Sequence, residues 1–203
     1  MRVLVACEFS GIVRDAFTDA GHDAMSCDLR ASETAGAHYQ GDVRDVLDDG
    51  WDLMIAHPPC TFLTNAGVRW LHDRPERWAA MIDGAVLFRD LWQADIPRIA
   101  IENPVMHRYA KQVIGADFSQ SVQPWQFGQG EVKRVCLWLK GLPHLVPTDI
   151  VEGREARVHR MPPGFAKAEC RGDAGVTTTA AATGSTPSTM PAISTFKTKG
   201  KAR

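Results

Sequence analysis

Apolar positions along the chain fall into short runs separated by segments of helical period. Val3 to Ala6, within Arg2 to Glu8, is a β-branched apolar run that reads as a buried strand. Gly11 breaks it, and Ile12, Val13, Ala16, Phe17 and Ala20 then recur at helical spacing up to Gly21, a natural helix stop. Asp23 to Asp28 predicts a second strand ending on an acid, and Gly41-Asp42-Val43 leads into a short segment. Trp51 to Ala56 predicts another buried strand, halted by Pro58-Pro59. Asp73 as cap, Pro75 in the first turn and Glu76 three residues after the cap mark a helix start. Trp78, Met81, Ile82, Ala85, Val86, Arg89 and Trp92 carry that helix to Pro97. Ile99 to Ile101 is the next strand, and Met106 to Ile114 is a helix closed by Gly115. Val122 to Trp125 and Arg134 to Lys140 are strand-like, with Gly128 and Gly130 between them, and suit a hairpin.

Strands alternating with helices predict an α/β fold, a doubly wound and mostly parallel sheet with an antiparallel strand late in the chain. Residues 1–145 form the expected compact core, and 146–172 a basic loop region. Residues 173–203, rich in Thr, Ala, Ser, Gly and Pro, lack the apolar density to offset their ordering entropy and are expected to be disordered. Ligands in such sheets sit at the carboxyl ends of the strands, where strand order reverses. The residues to read are therefore Glu8 to Gly11, Asp28, Asp42, His57 to Thr61 and Glu102 to Pro104.

Composition narrows the picture. With 44% apolar and 23% charged residues in 203, the chain is not disordered throughout, and its net charge of −1 supplies no bulk positive field. Any nucleic-acid contact must come from local basic groups. No run approaches the ~20 apolar residues of a membrane span. Five cysteines, widely spaced and without a Cys-x-x-Cys pair, argue against a disulfide framework and against zinc, so no metal is expected. They fit a reducing cytoplasm, bacterial or that of a phage-infected host.

Each strand end has a functional and an ordinary reading. Glu8-Phe9-Ser10-Gly11 before a helix offers backbone N–H groups and a small residue to a cofactor, though a strand–Gly–helix turn is also plain topology. Asp28, seventeen residues after Gly11, stands where an acid accepts hydrogen bonds from ribose hydroxyls; otherwise it is a solvated loop acid, as is Asp42. Two prolines after a buried strand hold the following side chain at a set angle, and that side chain is Cys60. A thiolate adds readily to an electrophile such as carbon 6 of a pyrimidine; the alternative is a small buried cysteine. Glu102 closes a buried strand, which is awkward unless it faces a cleft. If protonated, it can donate to the ring nitrogen of cytosine.

Phe9 and Gly11 after the first strand, an acid after the second, Gly41-Asp42, Pro58-Pro59-Cys60 and Glu102-Asn103 together resemble the S-adenosylmethionine-dependent cytosine-5 DNA methyltransferases. The likeness is nearest the short phage and prophage members, whose fold is the Rossmann-like class I methyltransferase sheet, and it covers roughly residues 2–143. The resemblance implies S-adenosylmethionine as cofactor, with Phe9 and Gly11 lining its methionine end, Asp28 on its ribose, Asp42 on its adenine, and Glu8, Ser10 and Pro58 also in its pocket. It implies Cys60 as nucleophile, Glu102 on cytosine N3, and Arg134 orienting the cysteine and base. Pro59, Thr61, Asn103 and Lys133 would contact the substrate, which is DNA, duplex with the target base flipped out.

The chain also departs from that pattern. About seventy residues follow Arg134, nearly half of them tail, so the family's long target-recognition domain has no room and little sequence selectivity is expected. Pro104 stands where longer members carry Val. The family's last, cofactor-completing motif has no counterpart: Arg157 to Gly164 reads as a loop, after which the composition collapses, as in a frameshifted or decayed end. Candidate phosphate contacts are Arg69, Arg74, Arg77, Lys133, Arg134, Lys140, Arg154, Arg157 and Arg160, with Lys197, Lys199, Lys201 and Arg203 as a weak tether. The same chemistry on a free pyrimidine nucleotide, and an inactive cofactor- or DNA-binding remnant, are the alternatives. No protein partner is legible.

Overall fold

The computed structural model describes residues 1–156, and the backbone of Thr177–Ala181 and Ala192–Lys197. The first strand, β1 (Arg2–Ala6), pairs in parallel with β2 (Asp23–Asp28) on one side and β4 (Leu53–Ala56) on the other. A short β3 (His38–Gln40) extends the sheet beyond β2, and β5 (Ile99–Asn103) extends it beyond β4. The far edge is antiparallel: β7 (Val135–Lys140) lies between β5 and β6 (Gln120–Val122). The order is β3-β2-β1-β4-β5-β7-β6. This is the mostly parallel, doubly wound sheet with a late antiparallel strand that the sequence predicts, and it has the layout of a Rossmann-like class I methyltransferase fold.

Helices cover both faces, which is why the central strands are apolar without alternation. On one face Leu4, Ala6, Met54, Ala56, Ile99, Ile101 and Trp138 pack against α3 (Arg77–Gln93) and α4 (Arg108–Ile114). Met81, Ala85, Phe88 and Leu91 are the buried side of α3, and Phe88 meets Trp138 edge to face at 4.9 Å. On the other face Val3, Val5, Leu53, Ile55 and Ala100 pack against Val13 and Phe17 of α1 (Ile12–Asp19).

Several boundaries differ from expectation. A separate helix, α2 (Arg69–Asp73), precedes α3, and Asp73 ends it instead of capping the next one. Arg74 is extended, at φ −139° and ψ 90°, because Pro75 excludes the helical region for the residue before it. Pro75 thus divides two helices, and α3 begins on Glu76 without a side-chain cap. The helix expected from Met106 starts at Arg108, with His107 as its cap: Nδ1 accepts the Ala110 N–H. β6 stops at Val122, and Pro124, which has no N–H for the ladder, opens a 3-10 turn, Pro124–Gln126.

The first part of the expected basic loop region is tied down. Asp149, Val151 and Glu155 run beside residues 125–132 through backbone hydrogen bonds. Within the expected disordered tail, β8 (Thr177–Ala181) and β9 (Ala192–Lys197) pair antiparallel. Arg157, Arg160, the loop to Gly164, Cys170, Lys199, Lys201 and Arg203 lie outside the described residues.

Arg14, on α1, is a buried cation in this small domain. Its guanidinium donates to Ser26 Oγ, Ser32 Oγ, Thr34 Oγ1 and the Ala35 carbonyl, and pairs with Asp15 at 2.7 Å. It pins the loop between β2 and β3 against the sheet. Replacing one buried partner leaves the others desolvated and unsatisfied, so Arg14→Met is expected to cost about 3 kcal/mol or more in urea unfolding. A change below about 0.5 kcal/mol, the usual range of surface substitutions, would refute this role.

Candidate functional site

The chain runs from β1 outward to β3 and then returns to β4 on the other side of β1. The order therefore reverses between β1 and β4, and a crevice opens at their carboxyl ends. Cys7 leaves β1 there and His57 leaves β4; the His57 N–H donates to the Ala6 carbonyl at 3.0 Å. Every strand end singled out from the sequence reaches this edge.

At the β1 turn, the first N–H groups of α1 are already used within the chain. Buried Glu8 accepts from the Val13 N–H at 2.8 Å, the Arg14 N–H at 3.4 Å and Ser10 Oγ at 2.9 Å, so its carboxylate satisfies the first turn of α1. Gly11 has φ +74°, and a Cβ there would collide with Thr34 Oγ1 and the Arg14 guanidinium. The small residue thus admits the chain's own β2–β3 loop, not open space. Phe9 keeps a half-buried ring, with the Arg30 guanidinium 4.4 Å above it.

The two acids differ. Asp28 Oδ1 accepts the Arg30 N–H at 2.9 Å, and among the described residues no partner holds Oδ2. Leu29 beside it is 74% exposed, an apolar side chain bare at the crevice. Asp42 caps the 3-10 turn Val43–Val46: Oδ1 takes the Arg44 N–H and Oδ2 the Arg44 guanidinium, which also binds Asp90 of α3. Cys7 sits among these acids at φ +58°, a conformation that L side chains rarely adopt. Burial, then the Asp28 charge, pushes its thiol up to about 12. Burial and the same acid do likewise to Cys27, also pushed up to about 12. Both are held as thiols.

On the other flank, β4 and β5 end side by side, with Ala56 opposite Ile101. The next residues, His57 and Glu102, bring Nδ1 and Oε2 to 3.6 Å. Asn103 is buried and donates through Nδ2 to the Pro58 carbonyl at 2.9 Å. His107 continues the stitching: its N–H donates to the Leu63 carbonyl and its Nε2–H to the Phe62 carbonyl, both at 2.9 Å. These bonds fix the turn Pro58-Pro59-Cys60-Thr61, in which Cys60 is half-buried and Pro59 and Thr61 are exposed. Both ring nitrogens of His57, and Asn103 Oδ1, are buried without a hydrogen-bond partner among the described residues. Such atoms cost about 1–3 kcal/mol each when left unpaired, and here they cluster beside the cysteine.

Because β7 is antiparallel and pairs Cys136 with Asn103, its first residues lie beyond the end of β5, so Lys133 and exposed Arg134 reach the same edge. Arg134 lies 6.0 Å from the Phe118 ring. Lys140, by contrast, pairs with Ile99 at the amino end of β5 and donates to the Ala94 carbonyl at 2.8 Å. It sits at the opposite end of the strands, because six positions of extended chain separate it from Arg134. Arg154 packs over Trp125 at 3.7 Å.

Sequence reasoning missed Cys7, Leu29, His57 as a partner of Glu102, and His107. Only His57 and His107 carried a signal, each beside an already chosen motif. Among the described residues no cluster of three or more His, Cys, Asp or Glu side chains is arranged to hold a metal, and no helix is long and apolar enough to cross a membrane.

No protein-family model matches the chain, and no curated protein matches it. Among solved structures it is similar to a candidate DNA modification methyltransferase encoded within a prophage of E. coli. That match has 15% identity and a TM-score of 0.48, and covers 80% of this chain and 56% of that one. It is also similar to a methyltransferase of Entamoeba histolytica, at 12% identity and a TM-score of 0.47, over 74% of this chain and 57% of that one. The chain spans a little over half the length of either structure.

Asn103 is the bond that a single substitution removes most cleanly. Asn103→Ala leaves the Pro58 carbonyl buried and unpaired and is expected to lower unfolding stability by about 1–3 kcal/mol. Asn65→Ala, at an exposed position, should fall within about 0.5 kcal/mol of the parent. Equal effects in urea titrations would show that Asn103 does not hold the turn.

Proposed function

We propose that this protein is an S-adenosylmethionine-dependent methyltransferase that methylates carbon 5 of cytosine in DNA through a covalent adduct on Cys60. The observation that carries the reading is the cluster of buried polar atoms that lack a hydrogen bond among the described residues, His57 Nδ1 and Nε2 and Asn103 Oδ1, beside a rigid Pro-Pro-Cys turn and Glu102. A heterocycle with several donors and acceptors at its edge is the kind of ligand such a cluster can satisfy.

The residues at the crevice fit the cofactor. Asp28 has Oδ2 to accept from ribose hydroxyls, and Leu29 beside it offers an apolar surface to a flat ring. Asp42 is assigned to the adenine; each of its oxygens can accept a second hydrogen bond besides that from Arg44. Phe9, Ser10 and Pro58 line the methionine end. Glu8 and Gly11 act one step back, Glu8 by fixing the start of α1 and Gly11 by admitting Thr34. Bound there, S-adenosylmethionine supplies an electrophilic methyl group.

The chain's own residues do the rest. The Cys60 thiolate adds to carbon 6 of the cytosine while the Glu102 carboxyl donates its proton to N3, and the ring becomes an enamine with electron density on carbon 5. After methyl transfer N3 gives that proton back to the Glu102 carboxylate, beside which His57 Nδ1 stands at 3.6 Å. Once carbon 5 is methylated, a base removes its proton, the carbon 5–carbon 6 double bond re-forms, and the thiolate leaves. Asn103 keeps Cys60 in place throughout by holding Pro58. In duplex DNA the target base must first leave the stack, at a cost of a few kcal/mol, and Arg134 and Lys133 are placed to meet the strand from the β7 side.

The test is transfer of labelled methyl from S-adenosylmethionine to duplex DNA, single-stranded DNA and deoxycytidine monophosphate in parallel. Label is expected in DNA at carbon 5 of cytosine. Cys60→Ala should lose more than about a thousandfold in rate while keeping its circular dichroism spectrum. Label confined to the mononucleotide would replace the substrate, and full activity in Cys60→Ala would remove the nucleophile. Cofactor binding with no transfer to any of the three would mark an inactive remnant.

A further inference from the structure

A groove of about 370 Å³ lies beside the Cys60 turn, walled by Asn65 on the 3-10 turn Asn65–Gly67, by Arg69 and His72 of α2, and by His107, Arg108 and Tyr109 at the start of α4. Its volume is at the low end of the range for small-ligand sites. Its floor is the seam already described. Thr64 bridges Met106, and His107 bonds the Phe62 and Leu63 carbonyls. The loop that presents Cys60 and the one that follows Glu102 therefore meet under the groove, at Thr64 and Met106, four residues beyond each.

The lining combines cations with aromatic faces. Arg69 on α2 and Arg108 on α4 are both exposed, and among the described residues neither forms an ion pair with a carboxylate. Both lie on aromatic rings, Arg69 4.4 Å over Trp70 and Arg108 4.6 Å over Tyr109, which limits the freedom of the long side chains. Tyr109 is fixed in turn by Trp78 at 5.0 Å and by exposed His72 at 5.9 Å. Arg74 and Arg77 continue the positive charge past α2, against the exposed acids Asp73 and Glu76. Two arginines lining one groove suit a phosphate, and rings at its edge suit a base that has lost its stacking neighbour.

We propose that this groove binds the nucleotide adjoining the target cytosine on the same strand, with its phosphate between Arg69 and Arg108 and its base against His72 and Tyr109. The assignment rests on the cytosine methyltransferase reading for which base lies next door, but not for the binding itself. A free mononucleotide has the same chemistry. A strand is favoured because the cations do not stop at the groove but run on to Arg74 and Arg77.

The probe is a short fluorescein-labelled single-stranded oligodeoxynucleotide, followed by anisotropy over a range of salt, with deoxycytidine monophosphate as competitor. The double substitution Arg69→Gln, Arg108→Gln should weaken oligonucleotide binding at least tenfold. It should also make the slope of log affinity against log salt shallower by about 0.7, the loss of one neutralised phosphate on a single strand. His72→Ala should weaken binding about fivefold or more. Calorimetric affinity for S-adenosylmethionine should stay within twofold in all variants, which reports an intact fold. Unchanged oligonucleotide affinity in the double variant, or no binding by the parent protein, would overturn the groove. Competition by the mononucleotide at the strand's own affinity would overturn the strand. Binding through the groove without methyl transfer to DNA would uphold this inference and refute DNA as the methyl acceptor.

Discussion

Everything proposed for this protein depends on two neighbouring parallel strands ending level and on the loops beyond them being stitched together. The Asn103 amide bonds the Pro58 carbonyl, and His107 bonds the carbonyls of Phe62 and Leu63. The Pro-Pro step already removes two N–H groups and fixes two φ angles, and these three bonds occupy carbonyls that flank Cys60 on both sides. A half-buried cysteine held from both sides has few orientations left. The same stitching sets His57 against Glu102 and forms the floor of the groove beside α2.

The opposite flank shows a different economy. A glycine-containing turn before a helix commonly offers N–H groups to a ligand, but here Glu8 takes those of Val13 and Arg14, and Thr34 fills the space over Gly11. Arg14, facing inward from α1, holds the loop that carries Thr34. The polar features of the turn thus build a rigid wall, and the acceptor and apolar surface left facing the crevice come from the end of β2, at Asp28 and Leu29. Cys7, in its strained conformation between the strand and Glu8, turns the chain sharply enough for this wall to stand at the sheet edge.

The alternation of apolar runs with helical periods was enough to read the sheet, both helical layers and the antiparallel strand, because buried strands and amphipathic helices leave strong local signals. What was lost lacked such signals. β3 is three polar-flanked residues at the edge, and α2 is hidden because Pro75 looks like the first turn of α3 rather than the break before it. Arg14 reads as a surface charge until the β2–β3 loop closes over it. His107 is not among the usual caps, and its bonds go to residues over forty positions away. Lys140 and Arg134 belong to one strand in sequence, yet stand at opposite ends of the strands in space. The strand-end rule still found Cys60, Glu102 and Asn103 together, since it depends on topology and not on the detail of any loop.

The central claim is that Cys60 attacks carbon 6 of cytosine, and it can be caught directly. DNA in which cytosine is replaced by 5-fluorocytosine lets addition and methylation proceed but leaves no proton for the final elimination. Incubated with S-adenosylmethionine and analysed by intact-mass spectrometry with peptide mapping, the protein should gain the mass of one methylated oligonucleotide, attached at Cys60. Turnover of ordinary DNA without any such adduct, or an adduct mapped to Cys7, Cys27 or Cys136, would contradict it.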